Sequence, residues 1–429
     1  MNIKICDSIM GSGKTSAAIR HMNSDVENRY IFVTPLLTEC KRIVRDCAVR
    51  HFVEPEHKGN GKLENIHLLL EQKENIVCTH ALFRHFTPEI LDLIREGKYI
   101  LILDEVIPAI ELVDIKESDL YLLLSNGSIT VDDDDIVHWR DFDYEGNRFS
   151  DIEYMAKIGT LTLYRDKYLL WLFPMDVFTA FKDVIVMTYL LNAQFQKYLF
   201  DMSNITLEYM YTKKNDDGSY DFSAEPFEFD YISGLIDKIT IYDDGRTDVG
   251  KGLNAVGESY HVLSSSWFKK KNKEKGKPQL RKLKNNIANI FKNIFHTKAD
   301  YNMWSTFEDY RTKLAGKGYT KGFVAWNARA TNDYKHKTSL CYCVNIFHNP
   351  IIKHYFRDHG VEVNEDEYAL SSMLQWIWRS AIRENKEISI YIPSSRMRNL
   401  LVDWLHDISG RSRPKQAVEK RINKLKTDK

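Results

Sequence analysis

One short segment carries the residue types and spacing that phosphate chemistry needs, Gly11-Ser12-Gly13-Lys14-Thr15-Ser16. It follows an apolar run at residues 3–8 and precedes Ala17-Ala18-Ile19, so it joins a strand to a helix. Small residues let backbone N–H groups turn toward phosphate oxygens, Lys14 can neutralise the β- and γ-phosphates, and the Thr15 hydroxyl can bind Mg²⁺. The segment predicts a nucleotide phosphate loop formed by Gly11, Ser12, Gly13, Lys14, Thr15 and Ser16. An ordinary glycine turn is the alternative.

A pair of carboxylates would complete a hydrolytic site. Asp104 and Glu105 follow directly on the apolar run at residues 99–103. Asp104 would hold Mg²⁺, usually through water, and Glu105 would polarise the attacking water as general base. A strand that runs into a charged turn is the alternative.

These motifs resemble those of superfamily 2 helicases. Asp104-Glu105-Val106-Ile107 resembles the DExx box, and the phosphate loop, which starts at Ser8 in place of the generic glycine, resembles that superfamily's version. The resemblance implies two RecA-like lobes with ATP and Mg²⁺ bound between them. Parts of the chain are also similar to origin-binding-protein-like helicases of herpesviruses and other large DNA viruses, and the compact chain fits a phage-encoded helicase.

The resemblance extends to segments that would contact nucleic acid. Thr34-Pro35 and Thr79-His80 follow predicted strands and would offer donors to backbone phosphates, and Ser264, Ser265 and Thr331 resemble similar contacts in the second lobe. Met187-Thr188-Tyr189-Leu190 resembles the segment that links the ATP site to the nucleic-acid site, with Tyr189 in place of a small residue. Strand-ending turns and plain loop chemistry are the alternatives.

A row of polar residues near the C-terminus predicts a catalytic helix. Gln375, Arg379 and Arg383 would lie at i, i+4 and i+8 on one helix face. The row resembles the Q-x-x-G-R-x-x-R arginine-finger helix, whose guanidinium groups stabilise charge on the γ-phosphoryl group. Trp378 replaces the glycine and Arg383 lies one residue farther than usual, so either arginine could be the finger. A solvated basic helix face is the alternative.

Charges are balanced in number but segregated along the chain. Lysine and arginine total 60, as do aspartate and glutamate. A basic run at 269–284, which begins with Lys269, Lys270 and Lys271, could attract phosphates without reading sequence, or could be a solvated loop. The acidic run at 132–135 lacks the spaced ligands of a calcium loop. The six cysteines lack the spacing of a zinc site and indicate reduced thiols.

The order of apolar runs predicts an α/β fold with parallel sheets flanked by helices. Predicted strands lie at 3–8, 30–34, 75–79, 100–104 and 183–188, and a second series lies at 207–211, 239–242, 260–264, 322–326, 341–344 and 388–392. We therefore expect two RecA-like P-loop lobes at 1–202 and 203–408 and a basic tail at 409–429. Turn signals predict an insertion with a hairpin and helices at about 110–182.

We expect an ATP-dependent helicase or translocase. The resemblance favours single-stranded or forked DNA in replication or recombination and leaves RNA open. We also expect a monomer whose basic tail could contact replication or recombination proteins. No signal-peptide pattern or apolar run of about 18 residues is present, so we expect a cytoplasmic protein without a membrane partner. The alternatives are another P-loop enzyme, such as a viral DNA-packaging motor or a nucleotide kinase, and a non-unwinding ATP-dependent nucleic-acid-binding protein.

Overall fold

Short β-branched runs form the strands of the chain, and amphipathic segments form its helices. The computed structural model describes residues 2–57, 61–141, 143–227, 229–243, 252–273, 278–328 and 333–411. Its strands are β1 (Asn2–Asp7), β2 (Arg29–Thr34), β3 (Phe52–Val53), β4 (Asn75–Thr79), β5 (Tyr99–Asp104), β6 (Ile110–Leu112), β7 (Ile129–Val131), β8 (Val137–Trp139), β9 (Leu161–Tyr164), β10 (Tyr168–Leu172), β11 (Asp183–Thr188), β12 (Thr206–Lys214), β13 (Tyr220–Ser223), β14 (Ile239–Ile241), β15 (Asn302–Ser305), β16 (Ser339–Tyr342) and β17 (Ile388–Tyr391).

The helices alternate with these strands along much of the chain. They are α1 (Lys14–Ser24), α2 (Leu37–Asp46), α3 (Lys62–Glu71), α4 (His80–Phe83), α5 (Pro88–Gly97), α6 (Glu117–Ser125), α7 (Ser150–Lys157), α8 (Asp176–Thr179), α9 (Phe195–Met202), α10 (Asp230–Ser233), α11 (Leu235–Lys238), α12 (Ser265–Lys273), α13 (Pro278–Asn289), α14 (Arg311–Leu314), α15 (Pro350–Asp358), α16 (Glu365–Ile377) and α17 (Ser395–Ser409). Among the described residues, no helix is long and apolar enough to cross a bilayer.

The chain divides into two compact units. The first contains Met1–Phe227 and His348–Asn364, and the second contains Glu228–Phe347 and Glu365–Lys429. Helix α15 thus returns to the first unit, although the strands on either side of it in sequence, β16 and β17, belong to the second.

The first unit is built on an eight-stranded sheet in the order β13-β12-β1-β11-β5-β2-β4-β3. Every neighbouring pair is parallel except the antiparallel pair β12–β13. Side chains of the central strands are buried on both faces of the sheet, in two hydrophobic clusters. This burial explains why their sequences are nearly continuous apolar runs and confirms the α/β fold class.

The edge of this sheet differs from the sequence-based expectation. The strand predicted at 207–211 as the first of the second lobe is part of β12, which pairs with β1 from Asn2↔Thr206 to Cys6↔Met210. Strand β13 then turns back along β12 as a hairpin partner that the sequence analysis did not predict. A single strand read from its own pattern does not reveal which sheet it joins, because that depends on pairing with residues far away in the chain.

The segment after β5 contains the hairpin and helices expected from its turn signals. Strands β7 and β8 form a two-stranded antiparallel hairpin, and β6, β10 and β9 form a separate three-stranded antiparallel sheet. Helices α6 and α7 cover these strands around their own hydrophobic cluster, which includes Leu120, Trp139 and Ile152.

The second unit contains a four-stranded parallel sheet in the order β14-β17-β16-β15. Two of its predicted strands are wrong. Residues 260–264 form a turn, because Asn345 Nδ2 donates to the carbonyls of Tyr260 and Val262 at 2.7 and 3.0 Å in place of a strand ladder. Gly322 ends a 3₁₀ turn, and residues 323–326 make one isolated bridge, at Phe323, to β15, a strand that the sequence analysis missed.

Candidate nucleotide-binding site

The predicted phosphate loop connects β1 to α1, as its flanking sequence required. Gly11 and Gly13 both have φ of 84°, a left-handed backbone that glycine adopts without steric cost. Helix α1 begins at Lys14, and Ala17 N donates to Gly13 O at 2.8 Å. The first amides of α1 therefore point out of the helix N-terminus, where the positive end of the helix dipole favours an anion.

Lys14 is buried and folded over the loop that precedes it. Its ammonium donates to the carbonyl of Ser8 at 2.5 Å and to that of Ile9 at 3.3 Å. The Ser12 hydroxyl oxygen is also buried, and it has no hydrogen-bond partner within the described part of the chain. A buried donor of this kind is costly to leave unsatisfied, and the phosphate oxygens of a nucleotide in the loop could accept from it.

Asp104 ends β5, two strands away from β1 in the sheet. The Thr34 hydroxyl, at the end of β2, donates to Asp104 Oδ2 at 3.3 Å, and His80 Nε2 lies 2.9 Å from the Asp104 carbonyl oxygen. Burial and the neighbouring Glu105 carboxylate raise the pKa of Asp104 to about 7, while the Lys14 ammonium acts in the opposite direction. The phosphate-loop lysine and both carboxylates thus lie at the end of the sheet formed by the carboxyl ends of its parallel strands.

Glu105 has the strained backbone that a strand-ending catalytic residue can adopt. Its φ is 64°, in the left-handed region, and its amide donates to Met187 O at 2.8 Å. Thr188, at the end of β11, donates its hydroxyl to Glu105 Oε2 at 3.4 Å. The predicted linking segment therefore touches the general-base candidate directly.

Asp7 also lies at the carboxyl end of a strand of this sheet, and the sequence analysis missed it. It ends β1, and its carboxylate accepts from the amides of Leu190 at 2.9 Å and Leu191 at 3.1 Å. Leu190 has a φ of 57°, so this carboxylate stabilises a strained turn immediately after Thr188. The only sequence signal is an acidic residue at the end of an apolar strand, which by itself does not identify its partners.

Thr15 and Asp104 are the residues that would hold Mg²⁺. Both offer the hard oxygen ligands that this ion prefers, and Thr15 lies in the first turn of α1. In the described ranges, no group of three or more His, Cys, Asp and Glu side chains could hold a metal ion. Mg²⁺ is commonly bound by one or two carboxylates together with substrate phosphates, so the donor set fits an ion that arrives with a nucleotide.

The predicted nucleic-acid contacts of the first unit lie close to these carboxylates. Thr34 is fully buried, with its hydroxyl directed at Asp104, and His80 is buried against the Asp104 carbonyl. Pro35 and Thr79 are half-buried. The side chain of Thr34 therefore contributes to the carboxylate site rather than to an exposed surface.

The predicted contacts of the second unit surround α12. Ser264 is buried, and its hydroxyl accepts from the Trp267 amide at 3.2 Å as a helix N-cap. Ser265, Lys269 and Lys270 are exposed and Lys271 is half-buried. Thr331 lies outside the described residues.

The predicted row of Gln375, Arg379 and Arg383 does not lie on one helix. Helix α16 ends at Ile377, and a separate 3₁₀ turn spans Ala381–Glu384. Ser380 donates both its amide and its hydroxyl to Ile377 O, which closes the helix with short-range bonds. Gln375 is half-buried, Arg379 is buried and Arg383 is exposed, so the single-face prediction is wrong.

The chain is similar to several known proteins. Family models match at residues 110–171, the YonV middle domain, and 233–405, the YonV C-terminal Rossmann-like domain. The SPbeta prophage-derived uncharacterized protein YonV of Bacillus subtilis (strain 168) is 43% identical over 420 residues, which cover 94% of this chain and 99% of that protein.

Three solved structures also align with the chain. An XPD helicase aligns with a TM-score of 0.42 and 12% identity, over 96% of this chain and 95% of its own. S. tokodaii Xpd4 aligns with a TM-score of 0.43 and 11% identity, over 96% and 94%. A variant of S. cerevisiae Dbp5 bound to RNA and ADP BeF3 aligns with a TM-score of 0.40 and 11% identity, over 99% and 89%.

Proposed function

The chain belongs to the YonV family, and we propose that it is an ATP-hydrolysing motor that unwinds or translocates along nucleic acid. The observation that carries the proposal is the set of side chains at the carboxyl ends of the parallel strands in the first unit. There the ammonium of Lys14, the phosphate-loop lysine, opposes the rise in the pKa of Asp104, and the Glu105 carboxylate accepts a hydrogen bond from Thr188.

Each of these side chains suits one part of phosphoanhydride hydrolysis. Lys14 and the amides at the start of α1 would bind the β- and γ-phosphates, and Thr15 and Asp104 would hold Mg²⁺, which neutralises developing charge. Glu105 would accept a proton from the attacking water. When Glu105 accepts this proton, its 3.4 Å hydrogen bond to Thr188 would change. This change would couple hydrolysis to the adjacent turn at Leu190.

The helicase resemblance assigns further roles in the second unit. Arg379 or Arg383 would act as the arginine finger, and Gln375 would assist at the γ-phosphate. Ser265, Lys269 and Lys270 are exposed on α12 and would contact nucleic-acid phosphates. Pro35, Thr79, His80, Ser264, Lys271 and Thr331 complete the proposed contacts.

DNA is the nucleic acid along which we propose that the motor moves. The herpesvirus-type resemblance favours a DNA helicase, and the prophage origin of the Bacillus relative fits a phage protein that acts in DNA replication or recombination. The proposed working form is a monomer inside the host cell, with ATP and Mg²⁺ as cofactors.

The test is ATP hydrolysis by the full chain with no nucleic acid, single-stranded DNA, forked DNA and single-stranded RNA. We expect strong stimulation by single-stranded or forked DNA, and strand separation on the fork. Stimulation by RNA alone would make the protein an RNA motor. Hydrolysis that no nucleic acid changes would contradict the motor and favour another class of P-loop enzyme.

A further inference from the structure

A tyrosine from the sheet-edge hairpin packs directly on the phosphate loop. A Cβ atom added at Gly13 would lie 2.2 Å from Tyr220 Cδ1 and 2.4 Å from Cγ. Only a glycine leaves room for this ring, and φ of 84° at Gly13 imposes the same requirement independently. The half-buried Tyr220 ring is therefore part of the wall around the loop.

The hairpin holds this ring in place from two sides. Strand β12 pairs in parallel with β1, which leads into the phosphate loop. On the other side, Arg20 of α1 forms an ion pair with Asp221, with Nε and Oδ1 2.8 Å apart, and a longer one with Asp217 at 3.7 Å. Tyr220 is thus fixed relative to both elements that flank the loop.

The order of the strands indicates which part of a nucleotide would meet Tyr220. In the order β13-β12-β1-β11-β5, the hydrolytic carboxylates lie two strands to one side of β1 and Tyr220 lies two strands to the other. Neighbouring strands are about 4.8 Å apart, so the strand that carries the carboxylates and the strand that carries Tyr220 each lie roughly 10 Å from β1. A γ-phosphate near Asp104 and Glu105 directs the rest of the nucleotide away from them, toward the hairpin.

We propose that Tyr220 is the positioning residue for the nucleoside, and that it stacks on the base of the bound nucleotide. This inference rests on the proposed ATP site. The polar groups of the hairpin turn bond to one another, since Asn215 Nδ2 donates to Asp221 Oδ2 at 2.7 Å and the Ser219 amide donates to Asp217 at 2.8 Å. Recognition by stacking accepts any base with a π-face, so the site takes purine nucleotides with little discrimination between adenine and guanine.

The test compares ligands with and without a base, measured by isothermal titration calorimetry of the full chain with Mg²⁺. The ligands are ADP, GDP and inorganic tripolyphosphate. The variants are Tyr220→Ala, Tyr220→Phe and Tyr220→Leu, the last of which keeps an apolar contact on Gly13 without an aromatic face. Tyr121→Ala, at a tyrosine of α6 that is 73% exposed, is the matched control.

We expect Tyr220→Ala and Tyr220→Leu to weaken ADP and GDP binding by about 5- to 150-fold, the strength of base–aromatic stacking. Tripolyphosphate binding stays within about twofold of wild type, and Tyr220→Phe and Tyr121→Ala behave like wild type for all three ligands. Equal losses for ADP and tripolyphosphate in Tyr220→Leu, or no loss for either, would overturn the proposal. Wild type that binds none of the three ligands would overturn the ATP site itself, which is a separate result.

Discussion

At the scale of single residues, the candidate site depends on side chains that act on one another across strands. The Thr34 hydroxyl, for example, donates to Asp104 Oδ2 from the end of a different strand. Residues that orient a metal-binding carboxylate in this way usually matter almost as much as the carboxylate.

Removal of the Thr34 hydroxyl tests this role. We expect Thr34→Val to raise the Mg²⁺ concentration for half-maximal ATP hydrolysis about 10-fold, the lower end of the usual effect of outer-shell partners. The measurement is a magnesium titration of phosphate release at saturating ATP. Thr206→Val, at an exposed threonine of β12, is the matched control. A normal magnesium dependence in Thr34→Val would show that the hydroxyl does not support the ion.

Asp7 provides a second test, in which stability is measured. Its carboxylate accepts from two amides in the turn after β11. We expect Asp7→Ala to lower the free energy of unfolding by about 2 kcal/mol, because two partly buried donors lose their acceptor. Urea unfolding would measure the loss, with the exposed Asp201→Ala as control. A change below about 0.5 kcal/mol, as for a surface substitution, would contradict the assigned role.

The residues that could be predicted from the sequence are those whose signal is local. The phosphate loop and the acidic pair each follow a strand within a few residues, and the structure places both at strand ends. Asp7 and the hydroxyl of Thr34 depend on partners 183 and 70 residues away. Pairings at such separations are created by the sheet, and one sequence contains no local pattern that reports them.

At the scale of elements, the end of α16 shows where helical periodicity misleads. Gln375, Arg379 and Arg383 have the spacing of a helix face, yet the helix ends at Ile377. The Ala381 amide donates to Lys337 O at 2.9 Å, so a distant segment directs the chain out of the helix. Tertiary hydrogen bonds of this kind override a periodic pattern near a helix terminus.

The first turn of α17 contains an arginine that connects several segments of the second unit. Arg396 donates to Asn345 Oδ1 at 2.9 Å, to Ile346 O at 2.7 Å and to Asp366 Oδ1 at 2.7 Å. Its side chain is only 3% exposed, and the guanidinium carbon lies 4.4 Å from the centre of the Phe347 ring. The side chain is therefore an internal support of this unit.

We expect Arg396→Met to lower the free energy of unfolding of the second unit by about 3 kcal/mol, because buried acceptors lose their donor. Urea unfolding followed by tryptophan fluorescence would report the change, since Trp404 lies on the same helix. Arg311→Met, at an exposed arginine of the same unit, is the control and should cost less than about 1 kcal/mol. Equal effects of the two substitutions would contradict the supporting role of Arg396.

At the scale of the whole molecule, zero net charge conceals a separation of charge that matters for a polyanionic partner. The exposed lysines of α12 are close in sequence to the Ser264 N-cap and come from the basic run predicted to contact phosphates. Counterion release makes such contacts measurable, because each phosphate neutralised adds about 0.9 to the slope of log affinity against log salt on duplex DNA and about 0.7 on single strands.

We expect the double substitution Lys269→Ala and Lys270→Ala to weaken DNA binding and to reduce that salt slope by about 1 to 2. Fluorescence anisotropy with labelled single-stranded DNA over a salt series would measure both quantities. Lys317→Ala with Lys321→Ala removes two exposed lysines of the same unit and serves as control. An unchanged slope in the α12 variant would place the nucleic acid on another surface.

Glu105→Gln tests most directly whether the site formed by Lys14, Asp104 and Glu105 hydrolyses ATP. The measurement is phosphate release by wild type and Glu105→Gln with Mg²⁺ and DNA, together with ATP affinity. We expect hydrolysis to fall by about 100- to 10,000-fold, the usual contribution of a general base, while ATP affinity stays within a few-fold. Hydrolysis by Glu105→Gln at the wild-type rate would contradict ATP hydrolysis at this site.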